Sequence, residues 1–259
     1  GDGRIVLTGA TRHKASCMGV DIDGDLVDLA NASAQRLGVA QRVQFIRQDV
    51  FAADLSRATV LTLYLLPGMM ERLRPKLLKE LKPGTRIVSH DFDFGEWKPD
   101  RSVDVQTPEK YEISGSWSST VHLWTVPAPV EGAWTGSMDG GRGGPFRLEL
   151  KQRYQQVEGR LVREAQIMTL RDARLEGARI HFSAPGPDGR LETYTGIVRD
   201  GMITGEARAG GGPAMVRWSS SAQRLGSSKC SRSTTWPKPI LPDCDMGMSN
   251  PLDIACKKD

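Results

Sequence analysis

Along the first hundred positions, apolar residues recur in two alternating rhythms. Ile5 to Thr11 follows a glycine turn as a short helical stretch, and Met18 to Ile22 is a brief apolar strand. Asp23 then offers an N-cap, and Leu26, Leu29, Ala30 and Leu37 follow at helical spacing. Gly38 ends that helix, with Val39 placed to fold back on it. Val43 to Arg47 predicts another strand, and Ala58 to Leu66 is the nearly unbroken apolar run of a parallel strand covered on both faces. Met70, Leu73, Leu77, Leu78 and Leu81 make a second helical stripe. Arg72, Arg74, Lys76, Lys79 and Lys82 cover its other side as a solvated basic face. Pro75 interrupts this pattern, so the expectation is a turn followed by a helix starting near Pro75. Lys82-Pro83-Gly84 closes it before a strand over Thr85 to Ser89. Such alternation predicts an α/β domain with a parallel sheet.

The rhythm changes near Pro127. Phe146 to Leu150, Val157 to Leu161, Ala178 to Phe182, Tyr194 to Val198, Met202 to Ala207 and Met215 to Trp218 are short alternating segments separated by turn residues. They predict a small all-β meander curled into a barrel or sandwich. Gly159, Gly177, Gly196 and Gly205 read as a repeated hairpin signal, and Trp134 and Trp218 as residues that close the core. Beyond Arg224 periodicity ends. The organisation expected is an α/β domain over 1–127, a β-rich domain over 128–222 and a disordered tail over 223–259.

Composition narrows the class without naming a function. The chain is 39% hydrophobic and 25% charged with a net charge of +4, too little to argue for nucleic acid, which is not expected as a partner. No apolar run approaches the ~20 residues of a membrane-spanning helix. Cys17 reads as a small buried hydrophobe, and Cys230, Cys244 and Cys256 fit no common zinc spacing, so no metal is expected. The Asn31-Ala32-Ser33 sequon falls inside a helical pattern and reads as chance. A cytoplasmic location is the expectation, although a chain opening on Gly1 carries no information about an export signal.

Open α/β sheets bind nucleotide-like cofactors at the carboxyl ends of their strands. Here Gly1, Asp2 and Gly3 open the first helix, where glycine lets backbone approach a ligand. Asp21 ends the next strand, with two lone-pair sites for a ribose diol, and Ile22 follows as a surface for an adenine face. Asp49 and Val50 end the third strand, Asp49 being suited to accept from an adenine amino group. Tyr64, His90 and Asp91 follow later strands.

Gly-Asp-Gly-Arg at 1–4, Gly-Val-Asp-Ile-Asp at 19–23 and Gln-Asp-Val-Phe at 48–51 together resemble class I S-adenosylmethionine-dependent methyltransferases. Leu63-Tyr64-Leu65-Leu66-Pro67, Lys82-Pro83-Gly84-Thr85 and Ser89-His90-Asp91-Phe92 are similar to a bacterial subgroup in which a β-rich domain follows. The resemblance implies a Rossmann-like domain, S-adenosylmethionine as cofactor, and methyl transfer to an unidentified acceptor, a protein side chain or a small molecule. An in-line displacement of this kind asks the enzyme to position the nucleophile and remove its proton, for which Tyr64, His90 and Asp91 are the candidates. The family opens its motif with a strand ending in an acidic residue and a first glycine, neither of which stands ahead of Gly1 here. The expectation is a sheet lacking its first strand and a chain that binds the cofactor worse than a longer parent. Two other readings are open. One makes the β-rich half the working part, a non-catalytic docking module; the other is an NAD-type dehydrogenase, which shares a glycine turn and acidic strand end.

Overall fold

The computed structural model describes residues 1–138, 144–186, 188–209, 215–222 and 256–257. The first helix, α1 (Arg4–His13), starts after Gly3, whose φ of 75° lies in the left-handed region, and buries Val6, Leu7 and Ala10. It leads into β1 (Ser16–Asp21) and α2 (Gly24–Arg36). The Asp23 carboxylate caps α2 as expected, accepting from the N–H groups of Asp25 at 2.9 Å and Leu26 at 3.3 Å. Val39 N–H returns to Ala34 O at 3.0 Å, past Gly38 with φ 67°. Next come β2 (Val43–Arg47) and β3 (Val60–Leu63), the latter shorter than its apolar run because Leu66 caps α3 (Pro67–Glu80) with Pro67 in its first turn.

Pro75 does not break α3; the helix runs through it, contrary to expectation. Met70, Leu73 and Leu77 are wholly buried on one face, while Pro75 is exposed. Burying three such side chains contributes about 1.5–3 kcal/mol each, which outweighs the ~3 kcal/mol cost of an interior proline.

After β4 (Arg86–His90) the chain forms β5 (Arg101–Gln106), a 3-10 turn over Pro108–Lys110, α4 (Tyr111–Ser114) and β6 (Ser118–Thr125). The sheet order is β2-β1-(256–257)-β3-β4-β6-β5. β1 is parallel to β2 and β3 to β4, but β6 is antiparallel to both β4 and β5, so the sheet is mixed rather than parallel. Where the sequence leaves a gap between β1 and β3, the two-residue strand Cys256–Lys257 pairs antiparallel with Ser16 and Cys17 on one side and Val60 on the other. This corrects the expected disorder for those two positions; 223–255 and 258–259 lie outside the described residues. Cys17 is buried as expected but is disulfide-bonded, more than a small hydrophobe.

The second half is a closed antiparallel meander. Its strands are β7 (Gly132–Met138), β8 (Pro145–Arg153), β9 (Gln156–Arg163), β10 (Gln166–Thr169), β11 (Arg171–Glu176), β12 (Arg179–Pro185), β13 (Leu191–Arg199), β14 (Met202–Ala209) and β15 (Met215–Ala222). β10 and β11 lie end to end along β9, and β15 returns to pair with β7, closing a barrel of eight staves. Trp134, Trp218, Phe146, Phe182 and Tyr194 fill the interior among aliphatic side chains. At one end Arg163, 6% exposed, donates to Tyr194 Oη at 2.6 Å and Glu192 Oε2 at 3.3 Å, and the Tyr194 hydroxyl donates to the same carboxylate oxygen at 2.5 Å. Burial, and then that carboxylate, hold the Tyr194 phenol protonated far above its usual range.

The glycines here do not mark hairpins, as the sequence suggested. Only Gly177 of the four sits in a turn, with φ 55°. Gly159, Gly196 and Gly205 lie inside strands, where a Cβ on Gly205 would fall 1.9 Å from Thr195 O and one on Gly196 would fall 2.8 Å from the Trp218 ring. They permit the close strand approach and bend that closure of a small barrel demands.

The halves meet at the β8–β9 and β11–β12 turns. Trp97 Nε1 donates to Gln155 Oε1 at 2.9 Å, and Gln155 Nε2 donates to Lys98 O at 2.7 Å. Tyr154 stacks on Trp97 at 5.9 Å and lies under the Arg74 guanidinium at 5.7 Å. Ala128 N–H reaches Gly177 O at 2.8 Å.

Candidate active site

The carboxyl ends of β3 and β4 open on a cavity of about 740 Å³, within the ~300–1,000 Å³ usual for small-ligand sites. Its walls come from Gly1, Asp2, Arg4 and Ile5 around the start of α1, Leu26 on α2, Thr62 to Tyr64, Val88 to His90, and Val121 on β6. A smaller cavity, about 420 Å³, opens at the amino ends of β1 and β2 around Arg42 and Arg57. It lies at the end of the sheet opposite the one where nucleotide-type ligands bind.

Of the expected cofactor residues, Gly1 and Asp2 line the larger cavity. Asp2 is gripped by Arg4, whose Nε and Nη2 lie 2.9 and 2.6 Å from Oδ2, and that bond lowers its carboxyl pKa. Gly3 serves packing: a Cβ there would stand 2.6 Å from the Phe45 ring and 2.9 Å from Ala30. Asp21 closes β1, 2% exposed, with Oδ2 accepting from the nitrogen of Gly1 and Oδ1 accepting from Asp23 N–H at 2.9 Å. Glycine loop and carboxylate are thus brought together although 20 residues apart. Ile22 beside it is 61% exposed, an apolar surface at the strand end. Asp49 is exposed, its Oδ1 accepting from Phe51 N–H at 2.9 Å in a tight turn. The Val50 side chain is sealed in the core at 1% exposure, which leaves only its backbone for a ligand.

Tyr64 and His90 both line the cavity, their rings edge to face. Asp91 does not line it. It follows β4 with φ 63°, accepts from Thr120 N–H at 2.9 Å through Oδ1, and forms an ion pair with Lys110 through Oδ2. Burial works to raise its pKa, but the bonds from Lys110 and Thr120 and the charges of His90 and Lys110 outweigh it, and the net direction is down. Asp91 is therefore a fixed anion, 3.7 Å from His90 Nδ1, suited to hold and polarise rather than to accept a proton.

Sequence reasoning passed over Leu26, Thr62, Ser89, Val121 and Lys110. Leu26 and Thr62 fall within elements that it read only for burial, and Ser89 entered only as part of a segment carrying the family resemblance. Val121 and Lys110 belong to the stretch 101–125, whose strands alternate apolar with polar residues and present no apolar run.

Compared with known proteins, residues 1–101 match the ANTKMT methyltransferase domain family. A protein-lysine N-methyltransferase of Saccharolobus islandicus (strain REY15A) is 38% identical over 127 residues, covering 49% of this chain and 74% of that protein. The adenine nucleotide translocase lysine N-methyltransferase of Mus musculus is 33% identical over 129 residues, 49% of this chain and 56% of that protein. A crystal structure of an RNA methyltransferase from Salinibacter ruber in complex with S-adenosyl-L-homocysteine shares 48% identity, covering 50% of this chain and 78% of that one, with a TM-score of 0.45. The chain thus spans about three quarters of the Saccharolobus relative and just over half of the mouse one.

Proposed function

The chain belongs to the class I S-adenosylmethionine-dependent methyltransferases, and from that premise we propose that it methylates the ε-amine of a protein lysine. Family membership sets aside the dehydrogenase reading, and the docking-module reading is not favoured. S-adenosylmethionine supplies an electrophilic methyl group on a sulfonium. The residues present suit it: a buried carboxylate at Asp21 beside the glycine turn for the ribose and exposed Ile22 at the same strand end for the adenine face.

The observation that carries the lysine reading is the wall of the cavity. Ile5, Leu26, Leu63, Val88 and Val121 are apolar, and Tyr64 and His90 bring a hydroxyl and an imidazole to the mouth of it. A lysine amine is protonated in water, with a pKa near 10.4, and is no nucleophile until it loses that proton. Apolar walls disfavour the ammonium. In this reading the Tyr64 oxygen holds the amine and the His90 imidazole takes its proton. The named activities of the Saccharolobus and mouse relatives agree with this reading.

The test is transfer of tritiated methyl from S-adenosylmethionine to a mixed soluble-protein fraction and, separately, to total RNA. Label recovered as methyl-lysine after acid hydrolysis, and lost in His90→Ala, supports the proposal. Label entering RNA alone overturns it.

A further inference from the structure

The cavity continues sideways to the edge of the sheet. In register, His90 on β4 faces Val121 on β6, and Val121 faces Val103 on β5. Directly opposed residues of antiparallel strands share a face, so Val103, and Val105 two residues on, stand on the face that His90 and Val121 present to the cavity. Val103 and Val105 are 44% and 43% exposed. β5 lies two strand spacings, about 10 Å, from β4, and no further strand pairs with its outer side among the described residues.

The segment joining β5 to β6 stands at the same end as His90 and is built to hold its shape. Thr107 N–H donates to Trp117 O at 2.9 Å, and Lys110 ties the turn to Asp91 and to Ser119 Oγ at 2.9 Å. Upon it Tyr111 and Trp117 stack with centroids 4.3 Å apart and 24° between planes, yet both are about half exposed. Two exposed valines, a stacked and half-exposed aromatic pair, and a strand edge that no described strand covers therefore stand beside the cavity, with the Lys110–Ser119 contact opposite Val105. Isolated exposed apolar residues need no explanation; several of them beside a strand edge that no described strand covers do.

We propose that β5 is the acceptor-docking strand. An extended segment of a protein acceptor adds to the β5 edge, rests alternate apolar side chains on Val103, Val105 and the Tyr111–Trp117 pair, and so turns a neighbouring lysine toward the cavity. This rests on the protein-lysine reading above. Main-chain pairing supplies affinity without sequence preference, and those apolar side chains select apolar residues flanking the lysine.

The test uses the whole chain and two synthetic peptides, each an alternating valine–threonine heptamer with a central lysine. In one, alternate backbone nitrogens are methylated, which removes strand pairing and keeps every side chain. Backbone methylation is expected to lower kcat/KM about tenfold, and Trp117→Ala to raise KM for the unmodified peptide about fivefold with kcat retained. Affinity for S-adenosylhomocysteine, measured by calorimetry, stays unchanged in that variant. Equal kcat/KM for both peptides overturns the docking strand while leaving lysine methylation intact. Methylation of neither peptide, with S-adenosylhomocysteine still bound, counts against the lysine reading and this inference together. A dimer dissociated by Val103→Asp, with peptide kinetics unmoved, assigns the edge to a second copy of the chain and also overturns it.

Discussion

The ring of Tyr64 stands edge-on to the imidazole of His90, with centroids 4.7 Å apart and planes at 65°. The contact joins the ends of two neighbouring strands, β3 and β4, and fixes the direction in which each side chain presents its polar atom. Tyr64→Phe keeps the ring contact and removes only the oxygen. It is expected to lower kcat about tenfold to a hundredfold, within the range for a lost proton-handling or orienting group, and to leave S-adenosylhomocysteine affinity unchanged. His90→Ala is expected to lower kcat more at neutral pH, because both the ring contact and the proton acceptor go. Single-turnover kinetics on both variants checks this.

Asp21→Ala tests the cofactor side. A charged hydrogen bond contributes about 1.5–3 kcal/mol, so losing the carboxylate should weaken S-adenosylhomocysteine binding by about tenfold to a hundredfold. Calorimetric titration reads the loss directly; unchanged affinity would remove Asp21 from the ribose site.

Asp91 gives a pH dependence with a definite sign. Its pKa in the folded chain lies below the ordinary 3.8. The ion pair with Lys110 therefore stabilises the fold above that value, and the contribution is lost as pH falls through the folded pKa. Thermal melts of the native chain and Asp91→Asn should differ at pH 7 and converge as pH falls through the lowered carboxyl pKa of the folded chain. A gap that persists in acid would contradict the assignment.

These expectations rest on features of unequal legibility in the sequence. Asp23, Gly38 and the Met70–Leu73–Leu77 stripe announced their elements because capping and periodicity are local. Asp21 and the glycine turn were readable as a pair because strand ends in such sheets collect ligand-binding groups. Strands β5 and β6 were not readable, since Val103, Val105 and Val121 alternate with polar residues in short segments whose partners lie elsewhere in the chain. Pro75 misled for the opposite reason: a local rule was overruled by burial on the far side of the helix. The Lys110–Asp91 tie was invisible for want of any spacing rule linking residues 19 apart across a sheet.

In the barrel, Glu192→Ala should be severe. It strands Arg163, 6% exposed, without its carboxylate, and breaking a buried pair in this way typically costs about 3–5 kcal/mol. Glu192→Gln, which keeps an acceptor for Tyr194, should cost less. Urea denaturation followed by tryptophan fluorescence distinguishes the two.

Gly205→Ala asks a Cβ to occupy space 1.9 Å from Thr195 O. Overpacking against backbone should destabilise by about 1–3 kcal/mol, visible as a lower melting temperature and a weakened near-ultraviolet signal from Trp134 and Trp218. Gly189→Ala is the control: its φ is positive, but no atom lies within 4 Å of the added carbon, so strain without collision should give the smaller effect.

The bridge from Trp97 through Gln155 to Lys98 bears on how the protein can be cut. The family match covers residues 1–101, which invites cutting the chain after Thr125 to obtain a minimal enzyme. Trp97 is wholly covered, and part of its cover is Tyr154 and Gln155 from the other half. A truncated piece would bare that indole together with its unsatisfied N–H, inviting self-association through the wound. The unit of inheritance and the unit of expression need not share a boundary.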